Sequence, residues 1–236
     1  VHHGLPSPTI TVVLSFDEPL DAGWLGRPAG RGDFWTCASG LHTTPALIRT
    51  HGAQHGIQLA LTPLGSRALL GLPAGALAGE LVRHEDLPVG IGAGLHAELA
   101  SLDGGERVRR LERHLLALLA RSTTDPAHAI GPELARAWAL LQRTGGTVRI
   151  DELATRIGWG RRRLTREFRA EYGVSPKQAA RVTRFDRSRR LLAAGRPLAE
   201  LAASAGFFDQ AHLSREYAAL AERSPGQLRA SAYHLA

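Results

Sequence analysis

Leu164-Thr165-Arg166-Glu167-Phe168 leads on to Ser175-Pro176, and Leu213-Ser214-Arg215-Glu216-Tyr217 leads across the same gap to Ser224-Pro225. From the recognition helix to the Ser-Pro pair the offset is a constant 49 residues, Leu213 after Leu164 and Pro225 after Pro176. An internal repeat is a statement about architecture. Each copy opens on a short helical pattern closed by glycine. Asp151-Glu152-Leu153-Ala154 runs to Ile157 and Gly158, and Glu200-Leu201-Ala202 runs to Ala205 and Gly206. Glycine there supplies the left-handed residue that ends a helix and turns the chain sharply. The helix behind each turn is two-faced. Leu164, Phe168 and Tyr172 recur every four residues as an apolar stripe, with Arg162, Arg166 and Arg169 opposite. Leu213, Tyr217 and Leu220 form the second stripe, with Ala211, Arg215 and Ala218 facing away. A helix docked by one face with Arg on the other fits a DNA major groove, where Arg can bond guanine O6 and N7. One Arg-rich face is ordinary on a solvated helix. Its repetition behind the same turn favours two probes aimed at one extended polyanion.

Charge agrees with that placement. Residues 148–236 hold 17 Lys+Arg against 9 Asp+Glu, whereas the remainder holds 12 against 13. The basic third is the electrostatic footprint of a phosphate-binding module. Lys177 is the only lysine, so the choice of Arg over Lys carries no functional information. The 236 residues are 44% hydrophobic and 22% charged, the composition of a globular chain of one or two domains. No apolar run is long enough to span a bilayer, and no charged-then-apolar signal segment opens the chain. No membrane partner and a cytoplasmic, nucleoid-associated location are therefore expected. A single cysteine, Cys37, fits a reducing compartment. The first residue is Val, so an upstream segment is expected in the full-length protein.

Pro176 to Ala194 reads as a long connecting helix between the copies, with Pro176 in its first turn. Val182, Phe185, Leu191 and Leu192 should face the two units. Such a helix spans about 28 Å, close to the roughly 34 Å of one DNA turn. Arg181, Arg184, Arg187, Arg189 and Arg190 are expected to divide between phosphate contacts and solvent. Pro197 should begin the next helix as Pro176 does. Upstream, Glu133 to Arg143 carries Leu134, Ala137, Trp138 and Leu141 on one side, and Gly145-Gly146 stops it.

This segment resembles the AraC family of bacterial transcription regulators. The matching residues are Leu153-Ala154, Gly158, Leu164, Arg166, Phe168, Gly173 and Ser175-Pro176 in the first copy. Arg184-Phe185, Ser188 and Leu191-Leu192 match in the connector. Leu201-Ala202, Gly206-Phe207, Asp209-Gln210, Leu213-Ser214-Arg215, Tyr217, Ser224-Pro225 and Arg229 match in the second copy. The resemblance covers roughly the last third of the chain and implies two helix-turn-helix units on one long helix, entering successive major grooves. It implies that Arg162, Thr165 and Arg166 read bases from the first helix, and Ala211, His212 and Arg215 from the second. Arg161, Arg163, Arg169, Gln210 and Ser214 complete the expected DNA-binding set. Double-stranded DNA, RNA polymerase and a small-molecule effector are the partners it implies. Two positions depart from the family. Gly160 stands where a small polar residue usually opens the first recognition helix, and Glu222 where a Gly is usual. Glu222 has no cheap left-handed conformation, so a looser turn is expected there. Ala211 can touch only a thymine methyl, so the second unit is expected to read fewer bases than the first.

The first hundred residues read as β. Thr9–Phe16, Ala46–Thr50, Ile57–Thr62 and Arg67–Leu72 are predicted strands, with Gly52 to Gly56 as a hairpin loop. Gly4 to Pro8 begins abruptly, so an initial strand is expected to be missing. Short strands punctuated by Gly, Pro and Ser suggest a sandwich or barrel, and AraC-type regulators often carry a cupin-like barrel at this place as sensor. From Val89 to Ala120 the period turns helical: Ile91, Leu95, Leu99 and Leu102, then Val108, Leu111, Leu115, Leu118 and Leu119. These helices are expected to cover an open side of the barrel, with pairing of the second into a homodimer as the alternative. The fold class is thus α+β. Residues 1–121 are expected to form the cupin-like sensor and dimerisation domain, 122–131 the linker, and 132–236 the tandem helix-turn-helix domain.

Other chemistries are weakly supported. His51 and His55 flank a Gly-rich loop, and the ordered His and Glu spacing of a metal-binding cupin is absent, so no metal or other cofactor is expected. Trp35 and His42, on predicted strands, are candidates to line a barrel pocket. No nucleophile with a base is recognisable, so no catalytic residue is assigned and no enzyme is expected. Gly90-Ile91-Gly92-Ala93-Gly94 lacks a following Lys and any βαβ context. A DNA-repair alkyl acceptor would need a cysteine cluster that one Cys cannot supply. The alternatives are a metal-dependent sensor or enzyme on the β domain with secondary DNA binding, and a nonspecific nucleic-acid binder.

Overall fold

The computed structural model describes residues 2–49, 52, 54–122 and 129–232. The amino-terminal part is two four-stranded antiparallel sheets. One has the order β1 (His2–Gly4), β6 (Ala46–Arg49), β3 (Leu20–Trp24), β4 (Arg27–Phe34). The other has the order β7 (Gly56–Leu61), β2 (Ile10–Ser15), β5 (Thr36–Ser39), β8 (Leu81–Arg83). Leu20, Ala22 and Phe34 of the first sheet pack with Cys37, Val13 and Leu81 of the second. That small core lies between the sheets and closes them into a flattened, cupin-like barrel.

The second sheet is covered on both faces. Alternation along β2 sends Val13 into the barrel and Ile10, Val12 and Leu14, all fully buried, to the other side. There they meet the helices α1 (Ser66–Leu70), α2 (Ala93–Ser101) and α3 (Gly104–Ser122) through Leu69, Leu70, Leu99 and Leu111. The two helices read from residues 89–120 therefore do cover an open side of the barrel. On α3 only Leu111 is fully buried, Leu115 and Leu118 pack at its edge, and Val108, Leu116 and Leu119 remain exposed.

Three readings of this half are corrected. Arg67–Leu72 is not a strand: Leu69 and Leu70 are buried side by side, which alternation forbids and the short helix α1 permits. The loop between β6 and β7 is not a hairpin, because β6 pairs with β1 and β3 while β7 pairs with β2. The chain crosses between sheets there; Thr50, His51 and Ala53 lie outside the described residues. Trp35 is an exposed corner between β4 and β5, its ring near His96, and His42 lies in the loop beyond β5. Trp35 therefore does not line a pocket, whereas His42 does border a crevice, with Trp24 of β3 and Arg27 of β4.

The carboxyl-terminal part is all α. Its helices are α4 (Pro132–Arg143), α5 (Ile150–Arg156), α6 (Arg161–Tyr172), α7 (Pro176–Ala193), α8 (Leu198–Ala205), α9 (Gln210–Ala221) and α10 (Pro225–Ala232). Most of the expected linker, residues 123–128, lies outside the described residues. Pro176 is the first helical residue of α7, whereas Pro197 is one step outside α8, as its cap.

The apolar cores do not respect a simple division. One continuous cluster runs from Ile10, Val12 and Leu14 through Ala74 and Leu77 to Trp138, Leu153, Leu164, Phe168 and Tyr172. A separate cluster, around Phe185, Leu201, Leu213 and Tyr217, holds the second unit together. The first unit is thus seated on the β half, and the second is carried by α7.

Candidate nucleic-acid interface

Each unit is a helix, a glycine turn and a second helix. In the first, Trp138, Phe168 and Tyr172 form an aromatic cluster with ring centroids 4.5–5.9 Å apart, and the Tyr172 hydroxyl donates to the Leu134 carbonyl at 3.1 Å. Burial pushes that hydroxyl well above its usual pKa, so it stays a donor. In the second, Phe185 of α7 stacks edge-on with Tyr217 at 5.0 Å, and the Ser188 hydroxyl lies 3.1 Å from that of Tyr217. The two stripes read from sequence are the two buried faces: Leu164, Phe168, Tyr172, Leu213, Tyr217 and Leu220 are all at most 1% exposed.

The helix stops repeat as well. Ser175 and Gln178 cap α7 reciprocally: the Ser175 amide donates to Gln178 Oε1 at 2.9 Å, and the Gln178 amide to Ser175 Oγ at 3.2 Å. Ser224 and Gln227 do the same at 2.8 and 3.2 Å before α10. The turn at Glu222 is not looser than its counterpart. Glu222 adopts the left-handed conformation itself, at φ 52° and ψ 27°, and is the one non-glycine residue with positive φ among those described. The fold imposes on a Glu the shape that a Gly would take cheaply.

The outward face of α6 is basic and that of α9 is small and polar with one Arg. On α6, Arg161, Arg162, Arg163, Arg166 and Arg169 are exposed, and Thr165 is half-exposed with its hydroxyl donating to the Arg161 carbonyl at 2.9 Å. Arg161 pairs with Asp151 at 3.1 Å and Arg166 with the adjacent Glu167 at 2.6 Å. Both pairs are in solvent, and such pairs are worth little and exchange readily for phosphate or base. The Arg163 guanidinium lies 4.3 Å from the centre of the Trp159 ring. On α9, Gln210, Ala211, Ser214 and Arg215 are exposed. His212 is half-exposed and touches its own unit. Its ring meets Phe207 edge-on at 5.4 Å, its Nδ1 accepts from the Phe208 amide at 3.4 Å, and its Nε2 lies 3.9 Å from Glu216.

The connector arginines divide between contacts within the fold and solvent. Arg181 bonds Glu216 at 2.9 Å, Arg184 donates to the Gly146 carbonyl at 2.5 Å, and Arg189 and Arg190 pair with Asp186 at 2.9 and 3.0 Å. Arg187 alone of the five is exposed with no ion pair among the described residues.

A seam between the halves was missed in sequence because it joins distant positions. The turn Ala74–Leu77 packs against the end of α6, and Arg67 grips Glu171 with two bonds of 3.1 and 2.7 Å. Glu171 is buried there. Gly173, at φ +74°, sits so close that a Cβ would lie 2.1 Å from Ala78 Cβ. Beside the seam is a crevice of about 200 Å³ lined by Trp24, His42, Gly79, Gly173, Val174 and Gln178. The His42 ring lies tilted against Trp24, centroids 4.8 Å apart, and its Nδ1 lies 2.7 Å from the Thr44 carbonyl. Burial holds its pKa below the ordinary histidine value. The neutral ring with Nδ1–H toward Thr44 leaves Nε2 as an acceptor. Among the described residues, no group of three or more His, Cys, Asp or Glu is placed to hold a metal ion. No helix among them is long and apolar enough to cross a membrane.

Residues 153–231 match a family model described as a helix-turn-helix domain. No curated protein matches the chain. Among solved structures, apo ToxT from Vibrio cholerae strain SCE256 is similar with a TM-score of 0.61 at 10% identity, over 97% of this chain and 92% of that one. Unsaturated fatty acid-bound wild-type ToxT from the same strain gives 0.58 at 11% identity, over 95% and 88%. A transcriptional regulator with an AraC-type DNA-binding domain from Chromobacterium violaceum is 27% identical over 42% of this chain and 90% of that one, with a TM-score of 0.39. The ToxT likeness extends the shared architecture, β barrel and helical domain together, over nearly the whole chain. With the duplicated unit and the family match, residues 153–231 are a helix-turn-helix domain, carried in a chain whose fold is that of ToxT.

Proposed function

We propose that the chain reads one asymmetric operator across two successive major grooves, and that a small-molecule effector bound by the amino-terminal half sets how well it does so. The observation that carries this is the pairing of α6 and α9 on α7, each docked by its apolar face with its polar face outward. The 18 residues of α7 span about 27 Å, close to the roughly 34 Å rise of a DNA turn. Arg162, Thr165 and Arg166 read bases from α6, while Arg161, Arg163 and Arg169 bind phosphate beside them. On α9 Ala211, His212 and Arg215 read bases, with Gln210 and Ser214 beside them. Residues 1–121 act as sensor and 132–236 as the DNA-binding domain. RNA polymerase is the downstream partner.

The ToxT likeness includes a form with a bound unsaturated fatty acid. In this chain the crevice beside His42 and Gly173 touches both halves, so an occupant there would be felt at the end of α6. Exposed Val108, Leu116 and Leu119 on α3 favour a homodimer through that helix. Selection of duplexes from a random pool by the full chain tests the DNA reading. Arg166→Ala should weaken binding to the selected site by about 1–3 kcal/mol and relax one base position. An equal loss on all sequences would reassign Arg166 to phosphate, and no selected sequence would reject the reading in favour of nonspecific binding.

A further inference from the structure

Phe208 is 93% exposed, the most exposed large hydrophobic side chain among the described residues. Its position follows from a difference between the two units. From Gly158 the chain reaches the cap of α6, Gly160, through Trp159 alone. From Gly206 it reaches the cap of α9, Asp209, through Phe207 and Phe208. The second turn is one residue longer. A hydrophobic residue just before the cap ordinarily folds onto the fourth helical residue. In the first unit Trp159 does pack against the core that holds Leu164. In the second, Phe207 takes that place in the core with Leu213, so Phe208 has no site left inside the fold. Nor does the turn leave it loose. The Phe208 amide is directed at His212 Nδ1, and the next residue, Asp209, caps α9 by accepting from the His212 amide at 2.6 Å. The ring is therefore held out ahead of Gln210 and Ala211, the first two residues of the recognition helix.

We infer that Phe208 is a further DNA-contacting residue, laying its ring on the deoxyribose edge of the backbone at the rim of the second major groove. The inference rests on the reading of α9 as a groove-inserted helix. In a helix-turn-helix the start of the recognition helix reaches base edges while the preceding helix crosses the backbone. The turn between them faces the sugars, which offer an apolar surface between phosphates. This contact adds to the affinity of α9, where Ala211 is short and the His212 ring is held against Phe207 and the Phe208 amide.

The test uses the full chain, a duplex it selects from a random pool, and a scrambled duplex of equal length. Phe208→Ala should weaken binding to both by the same factor, about tenfold for loss of a partly buried aromatic ring. Because no counterion is released by an apolar contact, the dependence on salt should keep its slope. Phe208→Leu should recover most of the loss, and the thermal midpoint should not move. Arg166→Ala is measured alongside. If Arg166→Ala weakens binding and Phe208→Ala does not, the inference fails while the groove reading stands; Phe208 then faces a protein partner or solvent. A lowered thermal midpoint accompanying the loss would make Phe208 a folding residue and overturn the inference as well. If no duplex is selected at all, the groove reading itself has failed.

Discussion

Replacing Gly173 and Gly158 in turn by Ala isolates the seam that joins the β half to the first recognition helix. The two glycines share a backbone shape, at φ +74° and +75°, and each sits at the end of a helix in the same unit. A Cβ at Gly158 meets nothing within 4 Å. Gly158→Ala should therefore cost only the left-handed conformation, about 1 kcal/mol. A Cβ at Gly173 would lie 2.1 Å from Ala78 Cβ and 3.1 Å from the Gly75 carbonyl. That contact cannot be relieved by a flexible side chain, so the seam must shift. Overpacking of this kind adds about 1–3 kcal/mol, which puts Gly173→Ala at roughly 2–4 kcal/mol. Urea unfolding of each variant, with the midpoint and slope compared, measures the difference. Gly173→Ala should be the less stable by about 1–3 kcal/mol, and its transition should broaden as the two halves come apart. Equal losses in the two variants would refute the seam as a stabilising contact.

Three further outcomes follow from particular residues. Glu222→Gly should stabilise the chain by about 0.5–1 kcal/mol, since it removes the cost of a left-handed Glu while admitting more freedom when unfolded; a thermal scan that shows destabilisation would contradict this. In a double-mutant cycle of Arg67→Ala and Glu171→Gln, the coupling should be about 1–3 kcal/mol, because loss of Arg67 leaves a buried carboxylate without its two bonds; coupling near zero would mean that the pair forms without holding the seam. Burial pushes the His84 pKa down to about 4 from 6.5, while its Nδ1 accepts from the Ile91 amide at 2.7 Å. The unfolded chain binds this proton first, so the stability His84 confers is complete above pH 6.5 and falls away as pH drops toward 4. His84→Gln should reduce the slope of stability against pH in that window by about one proton, and an unchanged slope would remove His84 as its source.

The sequence was most informative where period and repetition coincide. The stripes of α6 and α9 and the glycine and Ser-Pro stops are local, so spacing alone locates them. The β half was less legible. Arg67–Leu72 is too short for its apolar run to separate strand from helix, and the paired Leu69 and Leu70 decide it only once burial is known. The 46–62 segment looks like a hairpin because loop chemistry is local, while the partners of β6 and β7 are set by two different sheets. The seam was invisible for a related reason. Arg67 and Glu171 are 104 positions apart, and nothing in either neighbourhood announces the other. Two of the connector arginines take their roles from tertiary neighbours, Arg181 from Glu216 and Arg184 from the Gly146 carbonyl, whereas Arg189 and Arg190 pair with Asp186 three and four residues away on their own helix. The contacts of His212 with the Phe207 ring and the Phe208 amide were likewise not legible from spacing alone.

Footprinting the full chain on a duplex it has selected tests the paired recognition helices most directly. Protection of two tracts on one face of the duplex, about one helical turn apart, is the expected result, with the α6-side tract weakened by Arg166→Ala and the α9-side tract by Arg215→Ala. A single protected tract from a one-to-one complex, or one unaffected by either change, would contradict it.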